Sequence, residues 1–288
     1  MMKRLLVKLV LFGSVVATSS ALLAQWPAHP TPRVPKNAAG QPDLTAPAPR
    51  TPDGKIDFSG IWSNGGGGGG GRGGRGGRGA AGDAAAPPAN PIPLAGFGNV
   101  GQGFGQEGLP YLPESAELVK KRMADNSKDN PDAHCLPMGF MQFHTHPQPR
   151  KIIQTPEVLL IIYEANSGLR QIFLDGRPLP GPDAEPWWYG YSVGKWEGDT
   201  LVVETRGFRG HEWLDVRGSP LTDAAKVTER FRRLNYGTLE IVITIDDPKA
   251  YTKPFTVRIN QRVMLDTELI EFICEERDAK HYVGAEPK

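Results

Sequence analysis

Alternation of apolar and polar side chains dominates the C-terminal half of the chain. Leu239, Ile241, Ile243 and Ile245 alternate with Glu240, Val242 and Thr244, the two-residue repeat of a strand with one face in a core. Phe255, Val257 and Ile259 do the same against Thr256, Arg258 and Asn260, and Ile270, Phe272 and Cys274 against Glu271, Ile273 and Glu275. Upstream, residues 151–155, 158–164 and 169–174 are β-branched and apolar, punctuated by turn signals at 165–168 and at Asp175-Gly176-Arg177. Residues 187–196 and 200–205 predict a hairpin across Glu197-Gly198-Asp199. Val227, Phe231 and Leu234 suit a helix as well as a strand. A short helix is expected over 113–124, with Pro113 at its first position, Glu114 and Glu117 near its start and Lys120, Lys121 and Arg122 near its end; Ala116, Val119 and Met123 share a face. Residues 55–63, with Ile56, Phe58, Ile61 and Trp62, predict a further core strand after the turn at Pro52-Asp53-Gly54.

Short strands joined by tight turns predict a mainly β fold: an antiparallel β-barrel-like or sandwich domain, with one short helix before it. Helical crossovers are missing, which argues against parallel βαβ units. The domain spans 111–288. Residues 64–110 hold more than half of the chain's 35 glycines and predict a disordered Gly-rich insertion. Residues 25–54, rich in Pro and Ala, predict a linker or surface-hugging arm.

The N-terminus changes the setting. Lys3, Arg4 and Lys8 precede an apolar run from Leu9 to Ala17, then Thr18, Ser19 and Ser20 and a small-residue cleavage site ending at Ala21 or Ala24, the order of a signal peptide over 1–24. The run is too short for a bilayer-crossing helix, which takes about 20 residues. A periplasmic or secreted protein without stable membrane insertion is expected. Removing Lys3, Arg4 and Lys8 from the 33 basic residues leaves 30 against 32 acidic ones, a net charge of −2. Such a balance, with only Arg72, Arg75 and Arg78 spaced through the Gly-rich stretch, argues against nucleic acid as a partner and favours a small molecule. Oligomeric state has no signature. The two cysteines, Cys135 and Cys274, predict one disulfide in an oxidising compartment.

Candidate chemistry lies in two places. Trp187, Trp188, Tyr189, Tyr191, Trp196 and Trp213 crowd a short span, and such rings suit ligand stacking as well as core packing. His144-Thr145-His146 places two imidazoles on one face if the segment is extended, and with His211 they form a candidate divalent-metal set; His134 and Glu212 are further candidates. The carboxylate that would follow such a pair in a cupin is replaced by Pro147-Gln148-Pro149-Arg150, so the cupin pattern fails and further ligands would have to come from afar; no cofactor is expected other than such a divalent metal. Asp175, Glu197, Asp199 and Glu229, with Arg177, are candidate acid–base groups whose plainer role is turn chemistry. There is no Gly-x-Ser-x-Gly elbow, phosphate loop or dinucleotide fingerprint.

The strings Gly194-Lys-Trp-Glu-Gly-Asp-Thr-Leu-Val-Val-Glu-Thr205, Phe173-Leu-Asp-Gly-Arg177 and Thr228-Glu-Arg-Phe-Arg-Arg233, with the surroundings of both cysteines, resemble an uncharacterised family of exported soil-bacterial proteins. The resemblance covers about 134 to the C-terminus and implies fold and location without a reaction. Members often carry a His where this chain has Leu179, so a role for that His is missing here. Gly60-Ile61-Trp62 resembles the first-strand Gly-x-Trp of lipocalin-like barrels. Together these features predict an exported barrel with an aromatic-lined cavity for an apolar, aromatic or sugar-conjugate ligand. The rival expectations are a His-dependent or metal-assisted hydrolase or lyase, and a structural or cell-surface interaction protein.

Overall fold

A computed structural model describes residues 29–64, 92–272 and 274. The leader expected over 1–24 and the Gly-rich residues 65–91 lie outside the described residues. The strands are β1 (Gly60–Asn64), β2 (Arg150–Gln154), β3 (Val158–Tyr163), β4 (Leu169–Phe173), β5 (Tyr191–Glu197), β6 (Thr200–Arg206), β7 (Glu212–Trp213), β8 (Pro220–Leu221), β9 (Lys226–Asn235), β10 (Thr238–Asp246) and β11 (Phe255–Met264). Two helices, α1 (Pro113–Ala124) and α2 (Phe140–Thr145), precede β2.

Nine strands close into a barrel in the order β1-β11-β10-β9-β6-β5-β4-β3-β2, with β7 and β8 forming a separate two-stranded sheet. The fold is mainly β and barrel-like, as the alternation predicts. Neighbouring barrel strands are antiparallel except β4 and β5, which run parallel and pair only at Ile172–Ser192 and Phe173–Val193. No helix makes this crossover; the irregular residues 174–190 do. The segment that suited helix or strand is β9, and its inward residues are Val227, Glu229, Phe231 and Arg233. Leu234 faces outward.

Both ends of the barrel are filled. All six residues of α2 are buried at the end where β2 and β4 begin. Burying Phe140, Met141 and Phe143 contributes roughly 2 kcal/mol each, and this packing holds a helix too short to persist alone. Its end is set by sequence: Pro147 forces His146 out of the helical region, and His146 is extended at φ −60°, ψ 140°. Gly139 starts it where a Cβ would lie 2.5 Å from the Trp213 carbonyl oxygen. At the opposite end Phe58 is fully buried, stacked on Trp196 with centroids 5.7 Å apart, and its carbonyl accepts from Trp62 Nε1 at 2.9 Å.

Several expectations need correction. The core strand expected over 55–63 begins at Gly60, because Ile56 and Phe58 enter the barrel mouth instead of joining a ladder. Residues 92–110 of the expected insertion belong to the folded body: Ala95, Val100 and Leu109 are buried, the Ala95 N–H donates to the Arg258 carbonyl and the Arg258 N–H to the Pro93 carbonyl, both at 2.9 Å. Residues 29–54 hug the surface as one of the two alternatives had it, Arg50 pairing with Asp199 at 2.8 Å. Helix α1 has the expected bounds but buries Ser115 and Val119, while Met123 is exposed. Residues 270–272 are not a strand, and Ile270 is 66% exposed. The disulfide joins Cys135 to Cys274 with Cα atoms 5.5 Å apart. No helix among the described residues is long and apolar enough to cross a membrane.

Candidate functional site

At the α2 end, the inward positions of four strands carry polar side chains in an otherwise aliphatic lining. Arg170 of β4 and Glu229 of β9 are both buried and form an ion pair in which Arg170 Nη1 donates to Glu229 Oε1 at 3.0 Å and Nη2 to Oε2. Nη2 also donates to Ser192 and Thr205 at 3.1 Å each. His144, delivered by α2, places Nε2 2.9 Å from Glu229 Oε1. The same Nε2 lies 3.1 Å from Arg170 Nη1, so it sits between an acceptor and a donor, while Nδ1 has no hydrogen-bond partner. Burial opposes charge on Glu229, but the Arg170 guanidinium and the His144 hydrogen bond outweigh it and hold its pKa at about 2. Burial, opposed by Glu229, keeps the His144 pKa below its ordinary value. Arg150, also buried, closes the centre by donating to the carbonyls of His144, His146 and Gln148. It acts as a cationic cap on the C-terminal end of α2.

Outside this centre the barrel wall is split. Because β4 and β5 share only two register pairs, Leu169–Gln171 diverge from residues 185–190, and a cleft of about 360 Å³ opens between them. Its walls are Leu169, Arg170 and Gln171 on one side, Glu185 to Gly190 on the other, and Arg209. Tyr189 links cleft and centre: its ring meets Phe143 at 5.3 Å, Phe143 stacks on Tyr163 at 4.4 Å, and Tyr163 lies edge-on to His144 at 6.1 Å. Arg209 stacks over Trp188 at 5.3 Å, and its Nε donates to the Pro186 carbonyl at 3.2 Å. The Arg209 backbone N–H is held at 3.2 Å by Glu212, a buried carboxyl whose burial pushes its pKa up to about 7.

Of the six aromatic residues singled out in the sequence, Trp187, Trp188 and Tyr189 line this cleft. Trp187 and Trp188 lie before β5, not in the expected hairpin strand, so strand alternation does not set their directions. Tyr191 packs on the outer wall against Phe173 at 5.0 Å, Trp196 sits at the far barrel mouth, and Trp213 is buried beneath Arg122. The histidines are not brought together. His144 is inside the barrel on a helix rather than a strand, His146 packs edge-on to Phe97 at 4.6 Å, and His211 is exposed. His134 contacts the Lys128 carbonyl at 2.9 Å. Among the described residues no group of three His, Cys, Asp or Glu side chains is placed to hold a metal ion. Asp175, Glu197 and Asp199 pair on the surface with Arg177, Arg230 and Arg50.

Sequence reading missed Arg150, Arg170, Ser192, Thr205 and Arg209. A signal was present for one of them: Arg170 occupies an inward slot two residues before Ile172, as Glu229 does between Val227 and Phe231, and opposite charges at core positions imply a buried pair. Compared with protein-family models, curated proteins and solved structures, the chain finds no match in any of the three.

Proposed function

We propose that this chain is an exported β-barrel protein, of the soil-bacterial family its strings resemble, that binds a small apolar or aromatic molecule in the cleft at the β4–β5 seam. The observation that carries this reading is the run Trp187-Trp188-Tyr189, which walls a concave space beside Arg209. Pockets of this composition, apolar walls with few polar groups, suit small molecules. The ligand sits in the wall of the barrel, because the interior is occupied by core side chains and by α2. The Cys135–Cys274 disulfide and the basic-then-apolar leader support an oxidising compartment outside the cytoplasm.

Calorimetric titration of the mature chain with benzoate, phenol, indole and an aryl glucoside tests the reading. At least one compound should bind, and Trp187→Ala/Trp188→Ala should weaken it at least about tenfold, the loss expected when apolar contact worth more than about 1.4 kcal/mol is removed. Trp187 is 39% exposed and lies outside the core, so the double variant should keep its β circular-dichroism spectrum. Equal binding by wild type and variant would place the site elsewhere.

A further inference from the structure

Which ligand class the cleft selects follows from the state of Arg209. Two contacts fix this side chain before any ligand arrives, and a third holds its backbone. Its backbone N–H is held by Glu212, its Nε by the Pro186 carbonyl, and its guanidinium plane by the face of Trp188. Stacking on an indole leaves the in-plane N–H groups free to donate, so the cost of ordering a long side chain is already met. Among the described residues the charged neighbour of its terminal nitrogens is Glu185, at 3.9 Å and with its side chain 84% exposed. That is a weak surface pair.

The other cationic charge on the cleft wall is already satisfied: Arg170 is buried and its guanidinium is paired with Glu229. The cleft thus combines three aromatic walls with one pre-aligned guanidinium fork. Among the described residues no carboxylate lies within hydrogen-bond distance of the Arg209 guanidinium.

Building on the small-molecule reading above, we infer that the cleft selects aromatic carboxylic acids: the ring lies against Trp187, Trp188 and Tyr189, and the carboxylate accepts from Arg209. Planar, two-oxygen anions match the fork of an Arg side chain in a way that neutral esters and amides do not. Selection is then by charge and geometry at one end and by stacking at the other.

The test uses the disulfide-bonded mature chain, 4-hydroxycinnamate and its methyl ester, with affinities from calorimetry at low and high salt. In the wild type the acid should bind at least about tenfold more tightly than the ester, and the preference should shrink with salt. Arg209→Ala should bring acid and ester within about twofold by lowering the affinity for the acid. Arg209→Lys, which keeps the charge and loses the fork, should fall between the two. Equal wild-type affinities for acid and ester would overturn the acid selectivity and leave the aromatic cleft standing. An acid preference that survives Arg209→Ala in a folded variant would overturn the role of Arg209. Failure of both compounds to bind the wild type, with none of the neutral aromatics binding either, would remove the small-molecule reading together with this one.

Discussion

Arg170 and Glu229 carry opposite charges into a barrel core, and taking either ion out of water is costly unless the partner is present. Glu229→Gln leaves the Arg170 guanidinium buried without its counter-charge and should cost on the order of 3–5 kcal/mol in urea unfolding, whereas the double replacement Glu229→Met/Arg170→Met should recover much of that loss. A single variant within about 1 kcal/mol of wild type would show that the pair is solvated in a way its burial denies. Glu212 behaves in the opposite sense. Its pKa is raised from 4.5 to about 7 by burial, so the folded state holds the proton more tightly than the unfolded chain. The stabilisation is fully present below pH 4.5 and is lost as the pH rises through 7, amounting to about 3 kcal/mol. His144, with a lowered pKa, opposes this on the acid side of its ordinary value. Subtracting the unfolding free energies of Glu212→Gln from those of wild type between pH 4.5 and 7.5 isolates the carboxyl; a flat difference would refute the assignment. Glu212 also holds the Arg209 backbone, so its ionisation bears on the cleft through that residue.

At the scale of elements, sequence was informative wherever one face met water and the other a core. The alternation over β10 and β11, the β2 to β4 run, the hairpin turn after β5 and the Pro-started α1 are all read directly from side-chain order. The six-residue α2 is different: every side chain is buried, so no polar face betrays its period, and His144-Thr145-His146 reads as extended. Residues 270–272 show the converse failure. They alternate, but β11 already pairs with β10 and β1 and ends at Met264, so no neighbour remains for a further strand. Alternation states a preference, and a ladder still needs a partner. The cleft was half legible: its aromatic walls are contiguous in sequence, while Arg209 and the divergence of β4 from β5 depend on a non-local crossing.

Across the whole molecule, one disulfide encloses most of the barrel. The span from Cys135 to Cys274 contains every strand except β1, and closing a loop of that length restricts the unfolded chain by on the order of 4–5 kcal/mol in the loop-entropy account, less any strain. Cys135→Ser/Cys274→Ser should therefore lower the melting temperature by many degrees without altering the strand spectrum; a shift of under about 2 °C would mean that the unfolded state is already restricted. The strand outside this loop sets the timing of assembly. β1 ends at residue 64 and one of its two partners, β11, spans residues 255–264, so the barrel cannot close until residue 264 has left the ribosome. Until then β1 keeps an unpaired edge, the condition under which nascent chains aggregate or engage chaperones. A chain whose barrel cannot close before its last strand emerges stays threadable until then.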